Sequence, residues 1–369
     1  MTSDLLLPAL LLVAACGGTE TKSDTLRPDS VGAAGPMAHP VATAPSASLA
    51  YVTNEDSQDL TVVNTTTDSV VATIAVGTRP RGVRVSPDGR TIFVALSGSP
   101  KCPPAMSDAE CAKLKVDKSK DGIAEVDAVS RKVRRILPGG SDPEAFDISR
   151  DGARLYVSNE DAGTASIVDV GTGRIVHVVQ VGREPEGVRV HPDGRTVWIT
   201  GETDHNITII SADSGRVLGR IVLDRRPRGL AFTPDGMRAY VTCEVGHTVQ
   251  VIDVRRRKVI RTIAMGKGAL PMGVVVHPDG KRAFVSTGRG GQVVVIDVGT
   301  DRVTDSVTAG KRPWGLALSN DGQKLYSANG PSNDVSVIAT DSLRLLRRIA
   351  VGKVPWGVAV TPASPGAAR

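Results

Sequence analysis

Aromatic side chains make up only 3% of the 369 residues, so each one has to be accounted for. Long apolar runs are missing. The longest, Leu5 to Ala15, falls well short of the ~20 residues that a membrane-spanning helix needs. Cysteine occurs only at positions 16, 102, 111 and 243. There is no Cys-x-x-Cys, Cys-x-x-Cys-His or His-Glu-x-x-His, which excludes haem c attachment and the common zinc spacings. No phosphate loop leads from a strand into a helix, since Gly288-Arg289-Gly290-Gly291 falls in a turn between strands. No nucleophile elbow marks a Ser-His-Asp triad, and no catalytic residue is assigned. Charge of one sign is not in large excess either. The net charge is +6; residues 1–49 contribute −2 and the rest +8, which describes a solvated surface and not a nucleic-acid footprint.

The apolar stretch Leu5 to Ala15 has the length of a signal-peptide core, and Ala14-Ala15 offers small residues before a cut. Leu12-Val13-Ala14-Ala15-Cys16 resembles a bacterial lipobox. The resemblance implies a lipoprotein-type signal over residues 1–15, cleavage before Cys16 and acylation of that thiol. Gly17 rather than Asp follows, which favours the outer membrane; Met1-Thr2-Ser3-Asp4 lacks the usual Lys or Arg. Residues 16–49 are rich in Gly, Ala, Pro, Ser and Thr and read as a flexible tether, and residues 363–369 as a disordered tail. The expected protein is an exported, periplasmic or outer-membrane lipoprotein, monomeric, touching the membrane through its anchor only.

What the chain has in plenty is Gly (39), Pro (23) and short alternating runs of Val, the composition of many short strands and tight turns. A motif Pro-x-Gly, followed by alternating apolar residues and an Asp-Gly turn, recurs with its prolines at 80, 143, 185, 227, 271, 313 and 355. Successive spacings are 63, 42, 42, 44, 42 and 42 residues. A period near 42 is that of a four-stranded propeller blade. The long interval holds an insertion over residues 97–121. Each repeat reads as strand a (Gly-Val-x-Val), an Asp-Gly hairpin, strand b opening on an aromatic, strand c ending in Asp, and strand d. The first repeat, from Tyr51 to Gly77, lacks strand a, and the last, from Gly357 to Thr361, consists of it alone. The expectation is an all-β, seven-bladed β-propeller over residues 50–362, its ring closed by the C-terminal strand a pairing with the N-terminal strands b, c and d, leaving no open edge at the closure.

Tyr51-Val52-Thr53-Asn54, with Tyr156-Val157-Ser158-Asn159 and Tyr240-Val241-Thr242-Cys243, resembles the signature of the YVTN/YncE-like propellers, relatives of the lactonase-type propellers. That resemblance implies the fold and a place among bacterial surface and periplasmic proteins. It leaves activity open, because one fold hosts unrelated functions.

The d–a and b–c connections of antiparallel blades emerge on one face, where propellers bind ligands. The variable residues of Pro-x-Gly there are Arg81, Glu144, Glu186, Arg228, Met272, Trp314 and Trp356. Nine aromatics fall at strand positions as core. Trp314 and Trp356 are left over, either as a hydrophobic plug or as a stacking platform. The candidate ligand-binding set is Arg81, Glu144, Glu186, Arg228, Trp314, Trp356 and Arg289. Glu202/His205 and Glu244/His247 repeat a Glu-x-x-His spacing on b–c turns, a candidate for a divalent cation, against the alternative that the acid is inherited by duplication, as Glu55 and Glu160 share its register. Cys102 and Cys111 are expected to pair in an oxidising compartment. The expected function is a binding or scaffold module for an envelope protein or a small amphipathic ligand. The rivals are a metal-dependent lactonase-like hydrolase and an accessory of a periplasmic quinoprotein or redox system.

Overall fold

In the computed structural model, residues 48–101, 106–111 and 113–363 are described. The signal segment, Cys16, nearly all of the tether, Cys102 and residues 364–369 lie outside them. The described chain forms seven four-stranded antiparallel sheets, each running a, b, c, d from the ring centre outward. Blade one is Val83–Val85, Thr91–Leu96, Gly122–Asp127 and Val133–Leu137. Blade two is Pro143–Ile148, Arg154–Asn159, Thr164–Asp169 and Arg174–Gln180. Blade three is Pro185–Val190, Thr196–Gly201, Asn206–Ser211 and Val217–Val222. Blade four is Pro227–Phe232, Arg238–Cys243, Thr248–Asp253 and Lys258–Ala264. Blade five is Val274–Val276, Arg282–Ser286, Gln292–Asp297 and Arg302–Thr308. Blade six is Pro313–Leu318, Lys324–Asn329, Asp334–Ala339 and Leu345–Ala350. Blade seven joins the chain ends: Pro355–Val360 is its strand a and pairs with Leu49–Asn54, followed by Asp59–Asn64 and Ser69–Ala75. The ring therefore closes as the repeat count requires.

The core is divided into seven layers, each between two neighbouring blades. Trp198, Ile207, Ile209 and Ile221 of blade three, for example, meet Leu230, Val241 and Ile252 of blade four. The strand-b aromatics Tyr51, Phe93, Tyr156, Trp198, Tyr240, Phe284 and Tyr326 are all buried in these layers. On strand a, Phe146 is buried, and Phe232 packs edge-on against Trp198.

The signature residues also bind blade to blade. Thr200 Oγ1 accepts from Gly187 N within its own blade and donates to the carbonyl of Arg228 in the next, at 2.7 and 2.8 Å. Thr53, Ser158, Thr242 and Ser286 donate to the next blade in the same register. The asparagine after it ties strands b and c: Asn54 Nδ2 donates to Asp59 and Thr61. The motif glycine permits the close approach of adjacent a strands. A Cβ on Gly187 would lie 2.2 Å from the carbonyl oxygen of Arg228. This clasp fixes where the variable x residue stands, at the inner rim of the ring.

Candidate functional site

The residue before each motif proline carries the second set of side chains at the mouth. Arg79, Asp142, Glu184, Arg226, Arg312 and Val354 all hold left-handed φ, between 44° and 59°. Such a conformation costs on the order of 1 kcal/mol in a residue with a Cβ. In five of the six it is held because the carbonyl of that residue accepts from the first b–c residue, as Asp142 O does from Glu160 N and Glu184 O from Glu202 N. The sequence reading missed Arg79, Asp142 and Arg226. The available signal was their fixed position ahead of proline. They help to line a cavity of about 600 Å³ with Arg81, Glu144, Arg228, Arg312, Trp314 and Trp356.

Arg81, Glu144, Glu186 and Arg228, variable residues of the candidate ligand-binding set, are nearly inaccessible. The reason is mutual neutralisation across blades. Arg81 bonds Glu144 at 2.9 Å, Glu160 at 3.2 Å and also Asp142. Arg228 bonds Glu244 at 2.8 Å, Glu202 at 3.2 Å and also Glu186. Each arginine thus stands among three acids. Burial pushes the Glu144 carboxyl well up, with Glu160 adding to the rise against the pull of Arg81. Burial pushes Glu186 up likewise, against Arg228 and with Glu202 adding. Glu160 goes the other way. Burial opposes its charge, but the hydrogen bond from Glu144 and the arginines outweigh this and hold it at about 2.

Glu202 and Glu244 are engaged with Arg226 and Arg228. His205 and His247 occupy the left-handed position of the b–c turn, where Gln58, Gly163 and Asn333 stand in other blades. Their Nδ1 atoms donate to the carbonyls of Glu202, at 2.9 Å, and Ala269, at 2.7 Å. Among the described residues no three His, Cys, Asp or Glu side chains converge as metal ligands. These four residues thus belong to an arginine–carboxylate network and a turn requirement. Cys243 is buried and free, while the expected partner of Cys111 lies outside the described residues.

Trp314 and Trp356 are half-buried, with ring centroids 5.7 Å apart and planes tilted by 34°. The Arg312 guanidinium stands 4.4 Å from the centre of the Trp314 ring. The other charged residues lining the cavity have ion-pair partners. Arg79 meets Glu55, and Asp161 meets Lys118 of the insertion. Of the charged residues described in this lining, Arg312 alone has neither a carboxylate within 4.0 Å nor a side-chain hydrogen bond. Burial draws its pKa down against the longer-range pull of Glu244 and Glu55, with Arg289 and Arg228 adding to the fall. Arg289 itself is exposed on the short turn Gly288–Gly290 of blade five, outside the cavity lining. The insertion contributes Ser99, Pro100 and Val116 to the lining and is clamped by Lys101 to Glu55 at 2.8 Å.

The chain matches the family model described as lactonase, 7-bladed beta-propeller, over residues 39–192 and 224–360. No curated protein matches it. Among solved structures it is similar to a functionally unknown protein from Desulfotomaculum acetoxidans, with a TM-score of 0.70 and 16% identity over 85% of this chain and 99% of that one. A putative 6-phosphogluconolactonase from Bacteroides uniformis gives 0.70 and 17%, over 85% and 100%. Kuenenia stuttgartiensis hydrazine synthase gives 0.63 and 22%, over 75% and 88%. Likeness at these identities concerns the fold alone.

Proposed function

Because the chain belongs to the family of seven-bladed β-propeller lactonases, which fixes its architecture without fixing its chemistry, we propose that it is a ligand-binding propeller of the cell envelope whose mouth takes a small amphipathic anion. The observation that carries this reading is Arg312, a cation without a carboxylate, stacked on Trp314 beside Trp356 at the rim of the cavity. An unpaired guanidinium in a partly desolvated site favours an anionic group that can accept its parallel N–H donors. The adjacent indoles offer a flat apolar platform for a ring. The acids across the mouth are satisfied by Arg81 and Arg228 and present hydrogen-bond acceptors at its polar wall.

Hydrolysis of a lactone is the second reading. It is supported by the family and by Glu144, a carboxyl in the cavity lining whose pKa burial pushes up. Calorimetric titration with a panel of ring carboxylates, sugar acids and sugar lactones separates the two. Binding without turnover supports the first reading, lactone consumption abolished by Glu144→Gln supports the second, and no binding by any anionic member sinks the first.

A further inference from the structure

Basic residues stand on the outer edges of several blades, and they are densest where blades three and four meet. Blade four carries Arg255, Arg256, Arg257 and Lys258 at its c–d turn and Arg261 on its outermost strand. The neighbouring edge of blade three adds Arg216 and Arg220. All seven are exposed. Arg257 Nη1 donates to the carbonyl of Leu218 at 2.7 Å, which joins the two edges into one surface. The acids on these two stretches are Asp213, already engaged by Arg154, and Asp253, which reaches Arg256 only at 3.5 Å. Charged outer strands can serve merely to block edge-to-edge pairing. The outermost strand of blade seven, Ser69–Ala75, has no charged residue, and that of blade five carries both Arg302 and Asp305. Blade one carries Arg131, Lys132, Arg134 and Arg135, but Arg134 and Arg135 pair with Glu125 and Asp127. Blade six carries Arg344, Arg347 and Arg348, with Arg348 3.5 Å from Asp334. The joined edge of blades three and four holds the longest run of cations among them.

Apolar side chains stand near the cations: Met237 is 67% exposed, and Ile260, between Lys258 and Arg261 on the outermost strand, 46%. Met237 lies beside the basic turn, its carbonyl accepting from Val254 N. We infer that this edge of blades three and four is a docking surface for an anionic phospholipid bilayer, a second membrane contact besides any lipid anchor at Cys16. Clustered Arg and Lys are drawn to the negative surface potential of such a membrane, and exposed apolar tips reach between headgroups. Nucleic acid fits less well. The half-buried tryptophans that could stack on bases are at the mouth, and the basic turn opens on the opposite face, with the a–b hairpins. A propeller docked this way keeps its mouth toward solvent.

The test uses the full chain carrying Cys16→Ser, so that no acyl chain contributes, in sedimentation with vesicles. Binding is expected to vesicles of phosphatidylcholine mixed with phosphatidylglycerol and not to phosphatidylcholine alone, and to weaken with salt. Arg255→Gln/Arg256→Gln/Lys258→Gln/Arg261→Gln should weaken it by about tenfold or more with an unchanged melting temperature. Met237→Ala/Ile260→Ala should weaken it severalfold. The inference is overturned by no binding, by equal binding to both vesicles, by a quadruple variant that binds like the parent, or by a stronger affinity for duplex DNA at the same salt.

Discussion

Arg81 of blade one reaches to Glu144 of the neighbouring blade two, Nη1 to Oε2 at 2.9 Å, and both side chains are almost wholly withdrawn from water. The pair is half of a balance that also involves Asp142 and Glu160. Removing the cation leaves three acids without it. Arg81→Met is therefore expected to cost about 3–5 kcal/mol, and Glu144→Gln, which keeps shape and hydrogen bonding, much less. Urea denaturation of the two variants checks the order; equal costs would show that charge balance is not what holds the rim.

Stability should also depend on pH in a particular direction. Glu144 and Glu186 have carboxyls raised in the folded state, so their contribution is complete below the unfolded value and is lost as pH rises through the folded one. Glu160, held at about 2, contributes above its unfolded value, and that contribution is lost on acidification toward 2. Maximum stability is expected at mildly acidic pH, with a decline on the alkaline side that Glu144→Gln/Glu186→Gln flattens. Urea midpoints for parent and variant across neutral pH decide this; parallel curves would contradict it.

The Cys243 thiol is buried against Gln250, and burial, with Asp224 adding, pushes its pKa up to about 12. It should resist iodoacetamide in the folded protein and react only on unfolding. Mass spectrometry of peptides labelled before and after denaturant gives the answer directly.

Ring closure rests on a pairing between distant parts of the chain, with Gly357 N donating to Thr53 Oγ1 at 2.9 Å. Deletion of residues 354–369 strips strand a from blade seven and leaves Leu49–Asn54 with an open edge. The truncated chain should aggregate or lose cooperative melting. A soluble truncation with an unchanged midpoint would show that closure contributes little.

The fold was legible because its determinants are local and repeated. The Asp-Gly hairpins hold φ near 70° at Gly89, Gly152, Gly194, Gly236, Gly280 and Gly322, and the strand-b aromatics mark every inter-blade layer. The site was legible only in part. Sequence spacing places Arg81 and Glu144 at equivalent positions on one rim, but not the inter-blade distance that lets them neutralise each other. That distance depends on the clasp of Ser or Thr against the motif glycine, which packs adjacent a strands closely enough to bury long charged side chains. Arg312 stands out for the converse reason. Among the described residues no carboxylate comes within 4.0 Å of it, and Glu244 and Glu55 act on it only from farther off, which is visible only once the ring is assembled.

The most direct measurement of the central claim is a matched titration of the mouth. Cyclohexanecarboxylate and its neutral amide, cyclohexanecarboxamide, have the same ring and do not absorb where tryptophan is excited. Trp198 is buried in the core, so a change in emission on binding would come from Trp314 and Trp356. The account expects the carboxylate to bind more tightly than the amide, and Arg312→Gln to abolish that difference by weakening the carboxylate about tenfold, while Trp314→Ala/Trp356→Ala weakens both. Equal binding of the two probes, or a carboxylate preference that survives Arg312→Gln, would contradict the claim that this cation reads the ligand's charge.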